Sequence, residues 1–103
     1  MSTTRPDRYS EIRRQAIRAR VLATRGRLNE AEELARAAVT LAAQTDFLNL
    51  HGDALVDFAE VARLTGRSGQ AISAVGEAIT LYERKGNLVS AAKARALLEE
   101  LRP

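Results

Sequence analysis

At 103 residues the chain has room for one domain with a modest core, and the absence of cysteine excludes disulfides and thiolate metal sites. No apolar run reaches the roughly 18–20 residues of a membrane span, and the Arg-containing N-terminus lacks the continuous apolar stretch of a secretory signal; a soluble, cytoplasmic protein is expected. The net charge of +3 is unevenly spread, since residues 1–27 hold eight arginines against Asp7 and Glu11 while residues 28–103 are net −3.

Much of the apolar content is alanine, and the aromatics are Tyr9, Phe47, Phe58 and Tyr82. Such a core needs backbones that approach closely, which favours helices packed through small residues. The two prolines, Pro6 and Pro103, lie at the ends, so nothing breaks long helices in between. Apolar runs of period two are missing, which argues against strands. An all-α fold follows.

Residues 1–6 are expected to be a disordered tail, and 7–103 a single helical repeat domain. The first helix should run from Asp7 to Arg25, with Tyr9, Ile12, Ala16, Ala19 and Ala23 on one stripe. Ser10 offers a later cap. Gly26 supplies the left-handed residue that ends this helix. The second begins near Leu28 under an Asn29 cap and buries Leu34, Ala35, Ala38, Leu41 and Ala42. After a break at Thr45-Asp46, the third spans Phe47 to Thr65, with Phe47, Leu50, Ala54, Leu55, Phe58, Val61 and Ala62 inward and Asn49, Asp53, Asp57, Glu60 and Arg63 outward. Gly66 ends it, and Ser68 should cap the fourth, whose inner stripe is Ala71, Val75, Ala78, Ile79 and Tyr82. Gly76 sits inside that helix, either at a close crossing or simply tolerated. Gly86 ends the fourth helix and Asn87 caps a terminal helix over 88–101. Short connections make neighbouring helices antiparallel, with hairpins at 7–45 and 47–85.

Shifting the chain by forty residues superposes the first hairpin on the second: Ala19/Ala59, Val21/Val61, Gly26/Gly66, Arg27/Arg67, Ala31/Ala71, Ala38/Ala78, Thr40/Thr80 and Leu41/Leu81 coincide. Similarity at a fixed period marks a solenoid. The pattern Ala19, Gly26, Ala31, Ala38, repeated at Ala59, Gly66, Ala71, Ala78, resembles the tetratricopeptide repeat (TPR) family over about residues 10–101. The forty-residue period is longer than that family's usual ~34, and Leu22 and Ala62 stand where it commonly has tyrosine. The longer form is similar to repeats in large bacterial signalling ATPases and transcriptional activators. The resemblance implies a short TPR-like α-solenoid of about five helices and a non-enzymatic protein–protein interaction or scaffold role, as a piece of a larger bacterial regulator. It also implies a peptide groove lined by Arg13, Ala16, Arg20, Ala23 and Thr24 of the first helix and Asp53, Val56, Glu60, Arg63 and Leu64 of the third. In that register Arg13 faces Asp53 and Arg20 faces Glu60, as ion pairs.

Two other readings stand beside the groove. Solenoid ends without a polar cap favour homo-oligomers, here through Tyr9, Ile12, Ile17, Leu97 and Leu101. Arg14, Arg18 and Arg25 form a basic stripe that could meet the phosphates of a nucleic acid, although without interleaved aromatics a solvated face is the simpler expectation. His51, the single histidine, is expected at the core boundary. With no second histidine, cysteine or paired inward carboxylates, no metal, cofactor or catalytic residue is assigned.

Overall fold

Three glycines decide where the chain turns. The structure, a computed structural model, describes residues 7–103, so the tail expected over 1–6 lies outside the described residues. Five helices follow in order: α1 (Arg8–Thr24), α2 (Leu28–Ala43), α3 (Leu48–Leu64), α4 (Ser68–Lys85) and α5 (Leu88–Leu101). They begin at residues 8, 28, 48, 68 and 88, one every twenty residues. Helices α1, α3 and α5 therefore share one register of the forty-residue repeat, and α2 and α4 share the other. α1 packs against both α2 and α3, α2 against α3, α3 against α4, and α4 against α5. The result is an all-helical array of antiparallel hairpins. No described helix is long and apolar enough to cross a membrane.

Gly26, Gly66 and Gly86 have φ of 82°, 80° and 81°, the left-handed region that glycine enters without a Cβ penalty. Each closes the same pair of backbone bonds. Arg27 N–H reaches Leu22 C=O at 3.0 Å, Arg67 N–H reaches Ala62 C=O at 2.8 Å and Asn87 N–H reaches Tyr82 C=O at 2.8 Å, each beside a shorter-range bond from the glycine itself. This is the Schellman closure, which satisfies carbonyls left open at a helix end.

The helix starts are less uniform. Asp7 caps α1, its carboxylate accepting from Tyr9 N–H at 3.3 Å and from Ser10 Oγ at 3.0 Å; Ser10 supports that cap rather than making its own. Asn87 caps α5 by accepting from Ser90 N–H at 3.1 Å, as expected. The caps expected from Asn29 and Ser68 do not form. α2 and α4 begin one residue after Arg27 and Arg67, with no side-chain cap. The glycine turn leaves a single residue before helical geometry resumes, so Asn29 and Ser68 already lie inside their helices.

The six repeat-matched alanines Ala19, Ala31, Ala38, Ala59, Ala71 and Ala78 are all buried. Their small side chains are what a close helix-on-helix approach requires. Ile12, Leu50, Val61 and Val75 are the largest fully buried side chains, each contributing about 1.5–3 kcal/mol of burial. One further small residue is required by packing. A Cβ on Gly52 would lie 2.7 Å from the buried ring of Tyr82. Gly76, by contrast, has nothing within 4 Å of a built Cβ, so no helix crossing explains it.

Candidate functional site

Between α1, α3 and α5 lies a trough of about 330 Å³ whose lining includes Arg13, Asp53, Val56, Tyr82, Lys93 and Leu97. It exists because α5 packs along α4 while its start is tied to α3 by a bond from Asn87 Nδ2 to Asn49 Oδ1 of 3.0 Å. The shared register puts Arg13, Asp53 and Lys93 at equivalent positions on three helices, forty residues apart. Their charges alternate in sign across the trough.

Asp53 is the hub. It accepts the hydroxyl of Tyr82 at 2.5 Å and faces Arg13 at 3.7 Å, the ion pair expected from the register. Burial, and then donation to Asp53, pushes the Tyr82 phenol well above its usual range. One turn along α3, Asp57 is only 7% exposed and accepts from Arg20 at 3.1 Å. Burial pushes its carboxyl above the usual range, and the Arg20 guanidinium pulls it part of the way back. Asp57 therefore does not belong to a solvated face of α3.

Arg20 pairs with Asp57 rather than with Glu60, because Asp57 is the carboxylate that α3 turns toward α1. Glu60 is taken by Arg63 of its own helix at 2.6 Å. Ala16 is buried and cannot line a groove. Val56 is half-buried, packed on the core, and shares the trough with Ala94 and Leu97 of α5. Arg63 and Leu64 are exposed near the end of α3 and do not join the trough lining. Lys93 and Tyr82 were missed. The signal for Lys93 was the register itself, extended forty residues past Asp53. Lys93 takes part in none of the ion pairs among the described residues.

The expected self-association residues separate. Ile12 and Leu101 are buried within the fold and unavailable. Each fills its own helix's inner stripe, so neither faces out of the end of the array. Tyr9 is partly exposed but packs edge-on against Phe47, ring centroids 5.6 Å apart; Phe47 stands at the cap position before α3, half exposed, and does not join that helix's inward face. Leu97 is half-buried in the trough. Ile17 stays half-exposed, and Val21, one turn on, joins it at 42% exposure. Arg14, Arg18 and Arg25 are exposed, as a solvated stripe would be. His51 is half-buried at the core boundary, 4.0 Å from Glu77.

On the opposite side, Arg36 ties α2 to α4. It bonds Glu32 at 3.0 Å and Gln70 at 3.3 Å, and its guanidinium lies 5.0 Å from the Phe58 ring centroid, within cation–π range. Arg67 reaches Glu32 at 3.3 Å. Among the described residues no group of three or more His, Cys, Asp or Glu is placed to hold a metal ion.

Compared with family models, with curated proteins and with solved structures, the chain has no match.

Proposed function

We propose that this chain is a non-enzymatic protein-interaction module of TPR-like kind, which holds an extended segment of a partner protein in the trough between α1, α3 and α5. The observation that supports it is the line Arg13, Asp53, Lys93 on three helices of one register, flanking the apolar Val56 and Leu97. Neighbouring helices stand roughly 8–10 Å apart. An extended chain advances about 3.3 Å per residue, so a peptide crossing from α1 onto α3, which pack directly, would meet the second helix about three residues on.

Arg13 and Asp53 largely satisfy each other, which leaves Lys93 as the uncommitted charge. The bound segment should therefore carry a carboxylate over α5 and a modest apolar residue over Val56 and Leu97. A random-peptide display library selected on the folded protein tests this. Acidic, apolar-containing peptides are expected, with binding lost in Lys93→Glu and retained in the control Thr80→Glu, at an exposed α4 position outside the trough lining. Peptides equally sensitive to both changes, or no selectable peptide, would count against the trough.

A further inference from the structure

The outer face of the first hairpin, formed by α1 and α2, points away from α3. Three depressions of about 710, 370 and 730 Å³ run into one another along it. Arg18 and Leu34 are shared by two of them, Glu33 and Ala37 by two, and Gln15 by two. The apolar part is Ile17, half exposed, with Val21, Leu34 and Leu41. In the same strip the amide oxygen of Gln15 is buried without a hydrogen-bond partner.

Much of the charge on this face has no ion-pair partner among the described residues. Most carboxylates of the described residues are engaged in ion pairs within the chain. Glu11, Arg14, Arg18 and Glu33 are in none of those pairs, and all four lie on this strip. The bases are on α1. On α2 the uncommitted charge is the acidic Glu33, with Glu30 beside it held by Arg27 at 2.6 Å.

A further hairpin stacked in series would not fit here. Arg14, Gln15 and Arg18 stand where α3, forty residues on, has Ala54, Leu55 and Phe58, all three buried in the array. In-register stacking would bury two guanidinium groups without acceptors, at high cost. The far end of the array is not a match either. On α5, Arg95, Glu99 and Arg102 replace Leu55, Ala59 and Ala62 of α3, with Arg95 paired to Glu83 and Arg102 to Glu99. Those charges are already satisfied, which disfavours head-to-tail growth.

We propose that the occupant of the α1/α2 outer face is the same face of a second copy, related by a two-fold axis running between the two helices. That operation lays α1 of one copy over α2 of the other. Arg18 then meets Glu33 of the second copy, and the reciprocal pair forms by symmetry. Ile17 and Val21 cover Leu34 of the other copy. An isologous contact closes on itself, so the assembly is a dimer and not a fibre.

The test is solution mass by light scattering over a wide concentration range, on the wild type, Arg18→Glu, Glu33→Arg and an equimolar mixture of the two variants. Both residues are exposed, and circular dichroism should show each variant folded. The wild type should double its mass with concentration. Each variant alone places two like charges face to face twice per interface, and its dimer dissociation constant should rise by about tenfold or more. Mixing the variants restores both opposite-charge pairs and should restore the dimer. A wild type that stays monomeric at every concentration overturns the proposal. So does a dimer indifferent to the single changes, or variants that dissociate and are not rescued by mixing. Peptide binding by the trough is read separately, so either proposal can fail without the other.

Discussion

Gly52→Ala is the sharpest test of the packing described above. Inside a helix, alanine is favoured over glycine by about 1 kcal/mol, so on secondary structure alone the change should stabilise. Packing opposes it. The new Cβ would lie 2.7 Å from Cε1 and 2.8 Å from Cζ of Tyr82, closer than real Cβ contacts. The ring cannot swing away cheaply, because it is buried and its hydroxyl is held by Asp53 at 2.5 Å. Overpacking a core costs about 1–3 kcal/mol, and breaking a hydrogen bond to a charged group costs about 1.5–3 kcal/mol. The net expectation is a loss of about 1.5–5 kcal/mol, which for a domain of this size lowers Tm by upward of roughly 6 °C. Urea titration followed by far-UV circular dichroism reads it as a lower midpoint at unchanged slope. Gly76→Ala is the control, since nothing lies within 4 Å of its built Cβ; it should stabilise by up to about 1 kcal/mol. If Gly52→Ala matched or exceeded the wild type while Gly76→Ala behaved as stated, the close approach of α3 to Tyr82 would be wrong.

Other outcomes follow from the same geometry. Tyr82→Phe removes the hydroxyl that Asp53 accepts and should cost about 1–3 kcal/mol; equal stability would mean that water replaces the bond without loss. Gly66→Ala forces a Cβ into a residue with φ of 80° and should cost about 1–2 kcal/mol, whereas Gly69→Ala, inside α4 with no neighbour near its built Cβ, should not destabilise. Burial holds the Asp57 carboxyl above its ordinary 3.8. Between that value and the raised one, the folded state binds more protons than the unfolded, so this group's contribution to stability falls as pH rises. Asp57→Asn cannot titrate there. Its stability relative to the wild type should therefore climb with pH from about 4 upward and level off above the raised value; a flat or falling difference in urea midpoints would contradict the buried placement of Asp57.

The helices were legible because their punctuation is local. A glycine in left-handed geometry and an alanine stripe leave the same trace in every hairpin, so the ends at Gly26, Gly66 and Gly86 and the buried alanines could be read from spacing alone. What was not legible depends on contacts between helices. Asp57 follows Asp53 by one turn, and on an isolated helix both sit on a polar face. Both line the trough, and only the presence of α1 across from α3 buries Asp57 against Arg20 while Asp53 stays partly exposed beside Arg13. The Arg20 partner was misassigned for the same reason, since a shift of forty residues names Glu60 and says nothing of which neighbour rotates inward. Gly52 and Tyr82 are thirty residues apart and share no motif; their fit is a property of the packed pair. Asn29 and Ser68 have good capping chemistry but stand two residues and one residue too late, because the glycine turn is tight.

The two proposed surfaces are compatible, and their placement has a consequence. Arg13, Val56 and Lys93 line the trough between α1, α3 and α5, whereas Arg18, Leu34 and Glu33 lie on the outer face of α1 and α2. A dimer closed through the outer face buries neither trough. One assembly then presents two identical grooves on a rigid frame, since helix-on-helix packing fixes their relation. A partner carrying two acidic segments, or itself dimeric, would meet the second groove at high effective concentration, and avidity would exceed the single-site affinity by about 10²–10⁴ only where the span matches. The Arg18→Glu change should therefore leave the binding of a single peptide unchanged while removing the gain from a tandem peptide. Equal loss of both would mean that Arg18 acts on the trough itself.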